Sequence, residues 1–221
     1  EAIAKQEQII RENRGFFGGE RKHRAEAKEA LAGLQKEQAE VSQKIKNLES
    51  AQSQYEWRQK GEADMGFEIQ NNALVKYTEE PGFFEICIPE GIKEIKGKAF
   101  IDCKSLKKIV LPESVKMIRS AAFAGCTSLS NINLPDTLTT LGSECFKNCV
   151  SLKNIIIPAL IKDLKKSVFQ GCEELESVSF PEHMDNIQTF AFKDCKSLKK
   201  LVLPREIKNI DWDAFKGCTG L

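Results

Sequence analysis

Eight cysteines and two histidines are the side chains of this 221-residue chain best suited to metal binding, redox chemistry or nucleophilic attack. Six of the cysteines, Cys103, Cys126, Cys149, Cys172, Cys195 and Cys218, stand 23 residues apart without insertion or deletion. Equivalent residues of stacked units lie about 4.8 Å apart and point the same way. A disulfide needs Cβ atoms about 3.8 Å apart on converging vectors. Zinc needs ligands that meet at one point, whereas a ladder spreads them along a line. The spacing therefore favours a column of reduced, buried thiols, with disulfides or metal as the alternatives. The histidines are His23 and His183. A Cys–His pair would require His183, which follows Pro181-Glu182 in a surface loop, to reach Cys172 or Cys195 in the interior. There is no phosphate loop, metal motif or nucleophile elbow. No enzymatic activity and no cofactor are expected.

The elements that carry these cysteines repeat with them. Proline recurs at Pro89, Pro112, Pro135, Pro158, Pro181 and Pro204, and phenylalanine at Phe100, Phe123, Phe146, Phe169, Phe192 and Phe215. A fixed period of this length means stacked supersecondary units. Apolar residues recur three and six residues after each proline, as at Val115 and Ile118. Pairs such as Ile132/Leu134 and Ile155/Ile157 precede each proline with period two. They predict one parallel strand per coil, ended by a proline that cannot continue the ladder. The segment after each proline adds a second short strand, and the Ala-Phe-x-x-Cys corner is expected to be a turn of 3₁₀ or α helix.

Leu-x-x-Ile-x-Leu-Pro followed by Ile-x-x-Ala-Phe-x-x-Cys resembles the BspA-type leucine-rich repeat over about residues 83–221, and 67–77 resembles that family's entry hairpin. Cys145 and Val168 depart from the small Ala, and Glu173-Glu174 from a small polar pair. The resemblance implies bacterial or protozoan surface proteins, several of them adhesins, at the cell surface or secreted. The expected fold is an α+β repeat protein: a leucine-rich-repeat solenoid of six 23-residue coils with a parallel β-sheet on its concave face, preceded by an α-helical hairpin or coiled-coil-like arm. The expected organisation is an arm over 1–60, a linker over 61–66, a capping β-hairpin and first strand over 67–88, and repeats over 89–221.

Between the inward residues of each strand lie outward ones: Lys108, Val110, Asn131, Asn133, Asn154, Ile156, Ser177, Ser179, Lys200 and Val202, with Glu85 and Cys87 in the first strand. Exposed Val110, Ile156 and Val202 favour a partner, and Asn131 and Asn133 are free to contact it. A rigid extended face of this kind suits recognition of a protein or glycan. The 33 basic and 32 acidic residues give a net charge of +1, so nothing global points to nucleic acid. No apolar run reaches the roughly 20 residues of a membrane-crossing helix, so membrane insertion is not expected.

Residues 1–60 contain no proline or cysteine and carry 12 Lys+Arg against 10 Asp+Glu. Ala27, Leu31, Leu34, Gln38, Val41, Ile45, Leu48, Gln52 and Tyr55 alternate in steps of four and three, which is a heptad seam. Ile3, Gln6, Ile10 and Asn13 do the same before the helix-breaking Gly15-Phe16-Phe17-Gly18-Gly19. A seam needs a partner: the first helix, the solenoid or a second chain. The basic Glu20–Arg24 cluster reads as a solvated face rather than a lipid or nucleic-acid site. Leu221 opens a further strand unit whose proline is absent, so the sequence reads as an excerpt of a longer protein. If residues 27–55 form a homo-oligomer, light scattering gives a dimer mass for 1–221 and a monomer mass for 65–221. Equal monomer masses exclude seam-driven pairing.

Overall fold

The computed structural model describes residues 66–79, 82–199 and 201–221. The expected arm and all but Gly66 of the expected linker lie outside them. The described residues form a stack of short strands and turns with no helix. β1 (Phe67–Gln70) and β2 (Ala73–Tyr77) make an antiparallel hairpin. Asn71 and Asn72 both take positive φ at its turn, the conformation a two-residue hairpin loop requires. The strands that follow alternate between two sides of the stack, each side carrying two sheets in which the repeat strands pair in parallel. After each proline come β4 (Glu94–Ile95), β6 (Met117–Ile118), β8 (Thr140–Leu141), β10 (Asp163–Leu164), β12 (Asn186–Ile187) and β13 (Asn209–Ile210). Before the first five of these prolines come β3 (Glu85–Cys87), β5 (Lys108–Val110), β7 (Asn131–Ile132), β9 (Asn154–Ile156) and β11 (Ser177–Ser179). Repeat strands pair in register at 23 residues, as in Ile95 with Ile118 and Ile86 with Ile109. β2 joins the first sheet by pairing Leu74 with Ile95, so the hairpin occupies the position of a preceding coil.

The corners differ from the helix expected there. In each, two residues four apart take left-handed φ, such as Lys98 (64°) and Asp102 (57°), or Glu144 (59°) and Asn148 (59°). Left-handed residues interrupt a right-handed helix. The corner instead sends alternate N–H groups outward along the stack: Lys98, Phe100 and Asp102 donate to the carbonyls of Ser120, Ala122 and Ala124 in the next coil. Intervening N–H groups close local turns, as from Cys103 to the Phe100 carbonyl at 3.2 Å. The corner is thus a third backbone ladder, and its groups are satisfied without helix.

Inside, the rings of Tyr77, Phe100, Phe123, Phe146, Phe169, Phe192 and Phe215 stack face to face with centroids 5.0–5.6 Å apart. Tyr77 of the hairpin begins the column. The thiols run beside it as free cysteines. From Cys126 onward, each thiol of the column donates to the carbonyl of a Phe one coil back: Cys126 to Phe100 at 3.0 Å, Cys149 to Phe123 at 3.1 Å, Cys172 to Phe146 at 3.1 Å. The residue before each thiol alternates strictly between Asx and Gly, through Asp102, Gly125, Asn148, Gly171, Asp194 and Gly217, all at positive φ. A Cβ on Gly125, Gly171 or Gly217 would fall on the side-chain oxygen of the Asx one coil earlier. Glycine is required there twice over, for its φ and for space.

Gly171→Ala should therefore lower stability by about 1–3 kcal/mol in chemical denaturation. Adding Asn148→Ala should recover the steric part and leave the backbone part. A double variant as unstable as Gly171→Ala alone would show that the Asx side chain does not impose the glycine.

Candidate binding face

Successive residues of a strand point to opposite sides, so the strands before the prolines present two outward rows. Lys108, Asn131, Asn154 and Ser177 form the first; Val110, Asn133, Ile156, Ser179 and Val202 form the second. Asn131, Asn154, Ser177 and Ser179 are exposed, as are Ile156 (63%) and Val202 (69%). The Ser177 hydroxyl donates to Asn154 Oδ1 at 2.6 Å, and half-buried Lys108 pairs with Glu85 at 3.8 Å. Lys200 lies outside the described residues.

Two of the expected contact residues are otherwise engaged. Val110 is buried, with 5% exposure, as is Cys87 beside it. Strand alternation sets the side to which a residue points, not what lies over it; Val110 is flanked in its row by Cys87 and Asn133. Asn133 keeps its exposure, but its side chain is not free. Its Oδ1 accepts from the Leu111 N–H and its Nδ2 donates to the Leu111 carbonyl, both at 3.0 Å. The amide does the work of a strand backbone, so Asn133 fastens one coil to another.

A second outward row went unread in the sequence. Five residues after each proline stand Glu94, Met117, Thr140, Asp163, Asn186 and Asn209, a position the repeat count could have located. Asn209 Nδ2 donates to Asn186 Oδ1 at 2.8 Å, and Asn186 Nδ2 in turn to Asp163 Oδ1. That hydrogen bond, with Lys165 nearby, holds the Asp163 carboxyl below its usual range. Arg119 and Lys96 do the same for Glu94. At the proline edge, Phe180, Val202 and Leu203 with Glu182, Arg205 and Glu206 line an open depression of about 500 Å³. His183 sits on this edge, exposed and paired through Nδ1 with Glu206 at 2.8 Å.

Five of the thiols are placed against chemistry, whereas half-buried Cys218 is held below the ordinary thiol range by its hydrogen bond with Cys195. Burial pushes the Cys103 thiol up to about 12 and raises Cys126, Cys145, Cys149 and Cys172 further. A protonated thiol without solvent access is neither nucleophile nor metal ligand. No cluster of three or more His, Cys, Asp or Glu residues able to hold a metal occurs among the described residues.

The family described as the BspA type leucine-rich repeat region matches residues 85–221, in 6 copies. A leucine-rich repeat protein from Bacteroides ovatus is 37% identical over 67% of this chain and 40% of its own, with a TM-score of 0.61. One from Eubacterium ventriosum is 27% identical over 71% of this chain and 51% of its own, with a TM-score of 0.56. The pneumococcal vaccine antigen PcpA shares the fold at 23% identity, over 64% of this chain and 39% of its own, with a TM-score of 0.53. The chain spans about half or less of the length of each of these structures. No curated protein matches it.

In native protein near pH 8, a maleimide should leave Cys126, Cys145, Cys149 and Cys172 unmodified until the chain unfolds, while half-buried Cys218 reacts first. Rapid native labelling of any of the four would overturn their placement in the core.

Proposed function

The chain belongs to the BspA-type leucine-rich repeat family, and we propose that it serves as a non-catalytic binding module that recognises a partner through the outer face of β5, β7, β9 and β11. One observation carries this reading. Proline, Phe, Cys and the inward aliphatics repeat from coil to coil and are taken up by the core, whereas the outward rows change residue type at every step but Asn131 to Asn154. The first row runs Lys108, Asn131, Asn154, Ser177; the second includes Asn133, Ile156, Ser179 and Val202. Positions that vary on a fixed scaffold are where a repeat protein acquires specificity.

The two rows contain no aromatic side chain. Exposed Ile156 and Val202, set among amides and hydroxyls, make a mixed flat surface that suits a protein partner better than a sugar, which stacks on aromatic rings. Asn131, Asn154, Ile156, Ser177, Ser179 and Val202 remain as contact residues, with Lys108 at the rim. Asn133 contributes by holding the surface in shape.

Ile156→Glu places a charge at the centre of this face, on a side chain that supports no core contact. Capture of a binding partner by the immobilised chain should fall about tenfold or more, with an unchanged melting temperature. Undiminished capture would remove this face as the site. Loss of capture in a glycan array, rather than in a protein pull-down, would assign the partner to sugars.

A further inference from the structure

We infer that the stack carries a one-sided hinge between the turn bearing β7 and β8 and the turn bearing β9 and β10. Both strand ladders are interrupted at this one junction. In the sheet after the prolines, hydrogen bonding runs from β1 to β8 and resumes from β10 to β13. In the other sheet it runs from β3 to β7 and resumes between β9 and β11. The interruption stands out against a regular series. Lys93, Lys116, Thr139, Asp185 and Lys208 each donate a backbone N–H to the preceding turn, and Lys162 does not. Lys96, Arg119, Gly142, Gln188 and Asp211 do likewise, and Lys165 does not. Lys107, Ser130 and Glu176 do, and Lys153 does not, a bond that Lys199 of the last turn lacks as well.

The turn on the near side of the gap is fastened backward. Ser130, Thr137 and Thr139 donate side-chain hydroxyls to the carbonyls of Lys107, Glu113 and Val115, and Lys116. Asn133 holds both polar groups of Leu111. Gly142 stands where other turns have Lys96, Arg119, Lys165, Gln188 or Asp211, and a Cβ there would collide with the Arg119–Ser120 backbone. The absent side chain lets this turn close on the one before it.

The corner, by contrast, is continuous through the junction. Glu144, Phe146 and Asn148 donate to Lys166, Val168 and Gln170 at 2.7–3.0 Å. Phe146 stacks on Phe169 at 5.6 Å, the widest step between the Phe rings of the column. Cys172 reaches back to the Phe146 carbonyl. The two blocks are joined along the corner and, just past it, by the Ser151 N–H to the Thr127 carbonyl at 3.2 Å, while strand pairing is released on the other two sides, so they open on the strand faces and pivot on the corner. This inference does not depend on the binding reading.

The test is NMR on the full chain, combining amide exchange with methyl relaxation dispersion. Protection at Lys153, Lys162 and Lys165 should be about tenfold or more below that at Glu176, Asp185 and Gln188. Glu144, Phe146 and Asn148 should be as protected as Ala121, Phe123 and Gly125. Methyls of Leu134, Leu141, Ile155 and Leu164 should show microsecond–millisecond exchange that Ile95, Ile118 and Ile187 lack. Uniform strand protection, corner amides as labile as the strands, or no dispersion at the junction would each overturn the hinge.

Discussion

A peptide group buried without a partner is costly, and in a stack of coils the partner has to come from the next coil. That requirement holds on three sides at once here. The two strand sides meet it in register at 23 residues, and the corner meets it by sending alternate N–H groups forward. Once the backbone is paired at this spacing, side chains at equivalent positions must also meet their own kind. Rings stack on rings and thiols lie beside thiols, those from Cys126 onward finding a Phe carbonyl one coil back. Six of the eight cysteines are drawn into this order, and the regular spacing that makes them conspicuous also buries all of them but Cys218.

How much of this can be read from residue types alone follows from the same rule. Phe146 and Cys149 announce themselves because only one kind of side chain fits a closed interior column. The Asn71-Asn72 hairpin is legible because its turn needs two residues that tolerate positive φ. The corner is not legible. Its first left-handed site holds Lys98, Ala121, Glu144, Ser167, Phe190 and Asp213 in successive coils, so backbone conformation there is set by the stack and leaves no mark on residue type. Val110 reads as exposed because alternation predicts direction, and burial depends on neighbours that alternation does not describe. The break between β7 and β9 is equally silent in the apolar pattern, since Ile132/Leu134 and Ile155/Ile157 look alike. Its traces are polar and small: an amide at Asn133 and a missing side chain at Gly142.

Repetition and recognition are divided between the two sides of each strand. Inward positions must match their neighbours above and below, so they cannot vary independently. Outward positions on the face of β5 to β11 have no such obligation, and there a lysine, two asparagines and a serine follow one another at Lys108, Asn131, Asn154 and Ser177. Asn133 shows that the division is not absolute. An outward side chain can be drawn into the scaffold when a backbone pair would otherwise go unmet.

The alternation of Asx and Gly before the thiols gives the chain a longer memory than its 23-residue period. Every Asx sits against a glycine in the following coil, through Asp102 over Gly125, Asn148 over Gly171 and Asp194 over Gly217. Removing a glycine-bearing coil alone would set one Asx directly against another, in space that cannot hold a Cβ. Removing or adding two adjacent coils keeps every Asx set against a glycine. The unit in which such a chain can lengthen or shorten without internal repair is therefore the pair of coils, and its genetic history should be written in steps of two.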